Sequence, residues 1–390
     1  MAEENSQPAE DEPRGGSDQP VECGEEEEEY GSDSPLESDC DSVSGSEESD
    51  GENSTKSTRL LSGDTIQEII ENGRRYCNET YFMPNDDAEQ TRLNITHQIY
   101  LILLDGELLK APLVKGPSRV LDIGTGPGDW AIELGEQYPN AEIIATDISV
   151  FDAGPSSVDL PNVFFQLDDA EDEWAYHEPF DLVHLRGLSG AFSDWGAIYR
   201  RAFHHLKPGG HIEVADADVA ADIIDIPNSR DSYFSIWVSA MHSAAEACGY
   251  PRNQDHLRPA ALTEAGFVNV RVYDLTLPVG MWPEEPREKT LGKMALIALL
   301  EGLEAASLRQ LTATGNWSAD AVRDLCDKVK MELVTAHGMT ARVRIITAKK
   351  PLPRTRTWRE RNADALNDAL KRLEIHDEQL AKDMARAMEG

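Results

Sequence analysis

Acids recur along this chain at the places where a parallel sheet would present them to a ligand. Asp122 sits near the end of an apolar run, Arg119 to Ile123, and Asp147 closes a second, Glu142 to Thr146. Asp168-Asp169-Ala170 follows a third run, Val163 to Leu167, and Arg186 follows a fourth, Phe180 to Leu185. Between the first run and the second, Gly124, Gly126 and Gly128 alternate with Thr125 and Pro127, and Trp130 opens an amphipathic helix. A strand, a glycine turn and a helix start aim free backbone N–H groups at a ligand. Glycine is required where the turn is tight or the ligand lies on the backbone. An acid about twenty residues beyond such a loop can accept both hydroxyls of a ribose. A carboxylate and a backbone N–H after the next strand suit an adenine amine and a ring nitrogen. Together the four features describe a seat for an adenosine.

The residues also indicate which adenosine. A dinucleotide fingerprint needs a third glycine where this chain has Asp129, so the close approach of a pyrophosphate is not provided for. Asp122 would repel a pyrophosphate but would stabilise an ammonium group within about 4–6 Å. The expected cofactor is therefore S-adenosylmethionine rather than a nicotinamide dinucleotide. The expected binding set is Tyr81, Asp122, Gly124, Thr125, Gly126, Gly128, Asp147, Ile148, Asp168, Asp169, Ala170 and Arg186. Methyl transfer needs positioning and a dry site, and a base only for a protonated acceptor. His184 and Asp216 are the candidate bases, with His97 and Asp218 behind them. Each has a structural alternative: His184 as a core-edge histidine, Arg186 as an ion-pair partner, Tyr81 as an aromatic packed under a helix rather than a cover over the cofactor. Trp195 reads as core.

The elements that must hold these residues alternate strand and helix from Val120 onward, which implies an α/β, Rossmann-like, mostly parallel sheet of seven strands with helices on both faces. The fifth strand is expected at His211 to Ala215, after a Leu206-Lys207-Pro208-Gly209-Gly210 stop and turn. The sixth is expected at Val268 to Leu275 and the seventh at Ala341 to Thr347. Two N-terminal helices precede the sheet: one built on Ile66, Ile69 and Ile70 with a Thr65–Glu68 capping box and an end at Gly73, and one from about Asp87 to Leu104. They either pack on the sheet or form a lid. A helical insertion at 281–338, periodic over Leu291–Leu308 and Ala319–Val334, is expected to cover something, with Trp282, Met294 and Leu300 as an apolar lining. The domain is thus read as 59–351: N-terminal helices 59–110, core 117–280, insertion, and last strand 339–351.

Formal charge is -36, which argues against a broad electrostatic grip on nucleic acid. About half of the excess lies before residue 58, in a segment too poor in aliphatic residues to offset the entropy of ordering. Residues 1–58 therefore read as a disordered acidic tail, a solubiliser or a set of acidophilic kinase sites such as Ser46 and Ser49. Five scattered cysteines form no CxxC pair and no metal-ligand spacing, so free thiols in a reducing compartment and no metal are expected. No run is long enough for a membrane span, and the N-terminus lacks a secretory pattern. Localisation is expected to be intracellular, nuclear or cytoplasmic. Lys349, Lys350, Arg354, Arg356, Arg359 and Arg361 could form an import signal. The basic extension 352–390 reads as a helix with Leu366, Leu370, Leu373, Leu380 and Met384 on one face, either docked on the domain or presented to a partner.

Over residues 70 to 351 the chain resembles the fungal LaeA-like class I methyltransferases, velvet-associated regulators of secondary metabolism. The resemblance is carried by Tyr81 to Asp86, Arg92-Leu93, His97, Asp105-Gly106, Val120 to Gly128, Asp168 to Trp174, Phe180 to Arg186, Leu188-Ser189-Gly190, Asp194-Trp195, His205 to Gly210 and Ile212-Glu213. It implies a methyltransferase of fungal secondary metabolism: either a regulator with velvet-type partners and a protein acceptor, or a tailoring enzyme that methylates a small natural product. A non-catalytic scaffold that binds the cofactor and works through partners is the competing reading, and a dehydrogenase is a third.

Overall fold

The strand Arg119–Ile123 (β3) sits at the centre of the sheet, with Val120 and Leu121 fully buried on opposite faces. A computed structural model describes residues 69–113, 116–149, 151, 160–218, 232–353 and 358–388. The acidic tail, the Thr65–Glu68 capping box, and Arg354 and Arg356 lie outside the described residues. Before β3 come a hairpin, Ile69–Glu71 (β1) and Arg74–Tyr76 (β2), and a helix, Asp87–Leu103 (α1). After it follow α2 (Asp129–Gln137), β4 (Glu142–Asp147), β5 (Val163–Leu167), β6 (Phe180–Arg186), α3 (Trp195–His205) and β7 (Leu206–Asp218). Then come α4 (Tyr233–Ala247), α5 (Pro259–Glu264), β8 (Val268–Pro278), α6 (Pro286–Thr312), α7 (Ala319–Thr335), β9 (Thr340–Lys349) and α8 (Trp358–Met388).

Seven strands form one sheet in the order β5-β4-β3-β6-β7-β9-β8. β3 to β7 run parallel, and β9 enters antiparallel between β7 and β8. The order reverses beside β3, so the carboxyl ends of β3, β4 and β6 border the crevice where such sheets bind ligands. Alternation along the strands divides the core. Val120, Ile143 and Leu182 pack under α2, whereas Leu121, Ile144, Val183 and Val214 pack towards α3. A third core joins α1, α4, α6 and α7 to the ends of β8 and β9.

Two expectations need correction, and one open alternative, the docking of the C-terminal helix, is decided. The first N-terminal helix is a β-hairpin, because Asn72 and Gly73 take φ values of 53 and 82° and join β1 to β2 through a two-residue turn. Asn-Gly with both residues left-handed closes a hairpin whose twist matches its strands, which overrides the helical spacing of the isoleucines. The Pro208-Gly209-Gly210 segment is not a turn before the fifth strand but part of β7. The register slips between Phe180 and Leu182 there, and a Cβ on Gly210 would stand 3.1 Å from the Phe180 and Asp181 carbonyl oxygens. The apolar face of α8 is not docked: Leu366, Leu370, Leu373, Leu380 and Met384 are each about half or more exposed.

Candidate active site

Four strand ends converge as the spacing anticipated, and the glycine loop sits among them. Gly124, Gly126 and Gly128 take φ values of 67, 60 and 94°, a region closed to most side chains. A Cβ on Gly124 would meet Leu188 at 2.4 Å, so this position also lacks space. Asp147, ending β4, braces the loop: its Oδ2 accepts from the Gly126 N–H at 2.8 Å, and its Oδ1 accepts from Ser149 N at 2.9 Å and Ser149 Oγ at 2.7 Å. Burial pushes its pKa up, against the hydrogen bonds from Ser149 and Gly126. Thr125 Oγ1 is buried with no hydrogen-bond partner. An orphaned hydroxyl at a glycine cradle is what a missing polar ligand leaves behind.

Two cavities meet here. The first, about 370 Å³, is bordered by Gly124, Asp147, Ile148, Asp168, Asp169 and Ala170, with Leu188 and Phe192 as apolar walls. Asp168 accepts from Tyr176 Oη at 3.3 Å, and burial raises its pKa. Asp169 is exposed and caps its own turn through Glu171 N at 2.8 Å. The second cavity, about 340 Å³, takes in Asp122, Thr125, Gly126, His184, Arg186 and Asp216, and runs on between α1 and α6. Tyr81 borders both. Gly128 borders neither: its bare Cα faces Phe165, whose ring a Cβ would meet at 2.4 Å, so it serves the packing of α2.

His184 and Asp122 are register partners on β6 and β3, facing the same side, and His184 Nδ1 lies 2.6 Å from Asp122 Oδ1. The imidazole stacks on Trp130 with centroids 3.7 Å apart, and burial lowers its pKa. A neutral ring held on both sides orients Asp122. Arg186 donates to His97 Nδ1 at 3.0 Å and lies over Tyr100. Asp216 is buried, and its Oδ2 lies 2.8 Å from Nε2 of His256, a ring stacked on Trp195. Asp129 occupies the first turn of α2, so a carboxylate already faces the N-terminus a pyrophosphate would need.

The insertion does border the second cavity, but through small residues of α6, Ala295, Ala298, Gly302 and Ala306, together with Leu299. Met294 and Leu300 pack into the core instead, and Trp282 donates to the Val279 and Met339 carbonyls. Spacing gave no sign of Arg309, also on α6. It pairs with Glu71 at 2.9 Å, donates to the Asn78 and Tyr81 carbonyls at 2.6 and 3.0 Å, and lies 3.5 Å over the Tyr76 ring. That one cation latches the segment 71–81 over the first cavity.

Comparison with known proteins agrees. A family model described as a methyltransferase domain matches residues 97–272. The chain is 32% identical over 297 residues to methyltransferase pytC of Aspergillus terreus, covering 75% of this chain and 90% of that one. It is 32% identical over 294 residues to secondary metabolism regulator LAE1 of Cochliobolus heterostrophus, covering 72% and 94%. It is 29% identical over 293 residues to probable methyltransferase tdiE of Emericella nidulans, covering 74% and 91%. The chain belongs to this LaeA-like family of fungal secondary-metabolism methyltransferases, and it is an enzyme that uses S-adenosylmethionine as methyl donor.

Proposed function

We propose that the chain is a tailoring methyltransferase whose acceptor is a small, largely apolar natural product. The observation that carries this reading is the second cavity, which extends from the glycine loop into a pocket walled by Leu277, Val279, Ala298, Leu299 and Val343. A concave pocket with one apolar end and polar groups at the other suits a small molecule.

In this reading the first cavity holds the adenosine, with Asp168, Asp169 and Ala170 at the adenine and Asp147 at the ribose. Thr125, Gly126 and Asp122 face the amino-acid end, Ile148 and Leu188 line the walls, and Tyr81 covers the junction of the cavities. His184 acts by orienting Asp122, and Arg186 by fixing α1 through His97. The bound donor supplies an electrophilic methyl on a sulfonium. The protein supplies a dry, oriented approach to it.

The second reading, a regulator acting through velvet-type partners in the nucleus, is favoured by the exposed apolar face of α8 and by the likeness to LAE1. Among the described residues no helix is long and apolar enough to cross a membrane. Metabolite profiling separates the two. A deletion strain and a Gly126→Asp strain should both lack one methylated compound and keep unrelated metabolites. Global silencing in both would favour the regulator, and silencing in the deletion strain alone the scaffold.

A further inference from the structure

Arg252, between α4 and α5, borders the second cavity and is built in rather than draped over it. Its guanidinium lies 4.7 Å over the Phe82 ring, and one Nη donates to Gln310 Oε1 at 3.2 Å. Gly190 is bare where a Cβ would stand 2.6 Å from Arg252 Cγ, so the loop after β6 is cut to fit this side chain. Among the described residues no carboxylate pairs with it. Arg92, across the same cavity, already has Glu89 at 2.6 Å, and Arg74 has Asp86. Among the described residues two cations of this cavity therefore have no carboxylate at ion-pair distance: Arg186, which sits on His97 and Tyr100, and Arg252, whose pKa burial pushes down to about 10. A desolvated cation held by a ring and one amide is costly unless an anion joins it. Tyr81 and then Asp216 favour the charged form of Arg252, and Asp216 lines the same cavity with its own carboxylate anchored by His256.

We propose that the acceptor is methylated on an acidic oxygen, that of a phenol, an enol or a carboxylic acid, and that Arg252 and Asp216 hold this oxygen between them. This rests on the donor and acceptor cavities being those proposed above. Arg252 stabilises the negative charge on the oxygen, and Asp216 takes the proton when the group arrives as a hydroxyl. The O–H bond breaks with its proton going to Asp216, and the oxygen's electron pair forms the new O–CH3 bond. The donor's S–CH3 bond breaks as that bond forms, leaving its pair on a neutral sulfur. An ammonium acceptor would meet Arg252 as a like charge, so any discrimination against amines comes from Arg252 and works against Asp216 and the other carboxylates that line the cavity.

The experiment uses full-length protein saturated with S-adenosylhomocysteine and three probes with one apolar body: naphthol, naphthoate and naphthylmethylamine. Calorimetry should give the two oxygen acids at least ~10-fold tighter binding than the ammonium compound. Arg252→Met should abolish that preference, and Arg252→Lys should keep part of it, with affinity for S-adenosylhomocysteine unchanged in both. Asp216→Asn should still bind naphthol but methylate it at least ~100-fold more slowly. Equal or tighter binding of the ammonium compound, a preference that survives Arg252→Met, or no binding of any probe to the loaded protein overturns the proposal. Failure of wild type to bind S-adenosylhomocysteine overturns the donor site itself, a result distinct from all of these.

Discussion

The cavity proposed for the donor and the cavity proposed for the acceptor are built by different rules. Around the first cavity most of the residues proposed for the donor lie at or just after strand ends, and the backbone there is fixed by positive-φ glycines, the Gly126 N–H on Asp147 and the Glu171 N–H on Asp169. Around the second cavity the walls come from α1, α6, the loop beyond α4, and the ends of β7 to β9, and side chains make the surface. A backbone cradle tolerates little change because its geometry is the ligand's geometry. A side-chain cavity can be reshaped one residue at a time.

The comparison can be broken first at the loop. Gly126→Asp places a side chain at φ 60° and a second carboxylate beside Asp147, and S-adenosylhomocysteine affinity by calorimetry should fall about a thousandfold, roughly 4 kcal/mol. A mere tenfold loss would mean the loop does not grip the donor. Next, Ala298→Trp fills the acceptor cavity from α6. Naphthol affinity should drop about a hundredfold while S-adenosylhomocysteine affinity changes less than about twofold. Equal losses of both would show that the two cavities are one site.

Arg309→Met cuts the latch over segment 71–81 while keeping most of the side chain's volume. It strands the Asn78 and Tyr81 carbonyls and Glu71, and a broken buried cation network should cost about 3 kcal/mol. Denaturant unfolding should report that loss, and donor affinity should fall with it. An unchanged donor affinity would leave the latch a purely structural device.

The smallest effect concerns pH. Burial raises Glu213 to about 7 from its ordinary 4.5, while its Oε2 accepts from Lys110 and Ala111 N–H. The folded state therefore binds this proton more tightly than the unfolded state, so its contribution is fully present below the unfolded pKa and is lost as pH rises through about 7. Glu213→Gln should flatten the fall in stability between those values by roughly 1–3 kcal/mol relative to wild type. Parallel stability–pH curves for the two proteins would rule this out.

Much of this protein can be read along the chain. Asp122, the glycine loop, Asp147 and Asp169-Ala170 announce the donor because each lies next to its own strand end, so local spacing already fixes their relation. The sheet from β3 to β9 was legible for the same reason. The failures were local contests: Asn72-Gly73 outweighed an apolar helical spacing, and Gly210 let β7 run through what looked like a turn. The acceptor side depended on tertiary structure, because Arg92, Asp216, Arg252 and Ala298 come from four separate elements. Whether they face one cavity depends on how α1 and α6 pack over the sheet, and no periodicity records that. His184 became a brace for Asp122 only through strand register, and Arg309 became a latch only when α6 met the hairpin. The sequence by itself determined the methyl donor; packing between distant elements decided what can reach it.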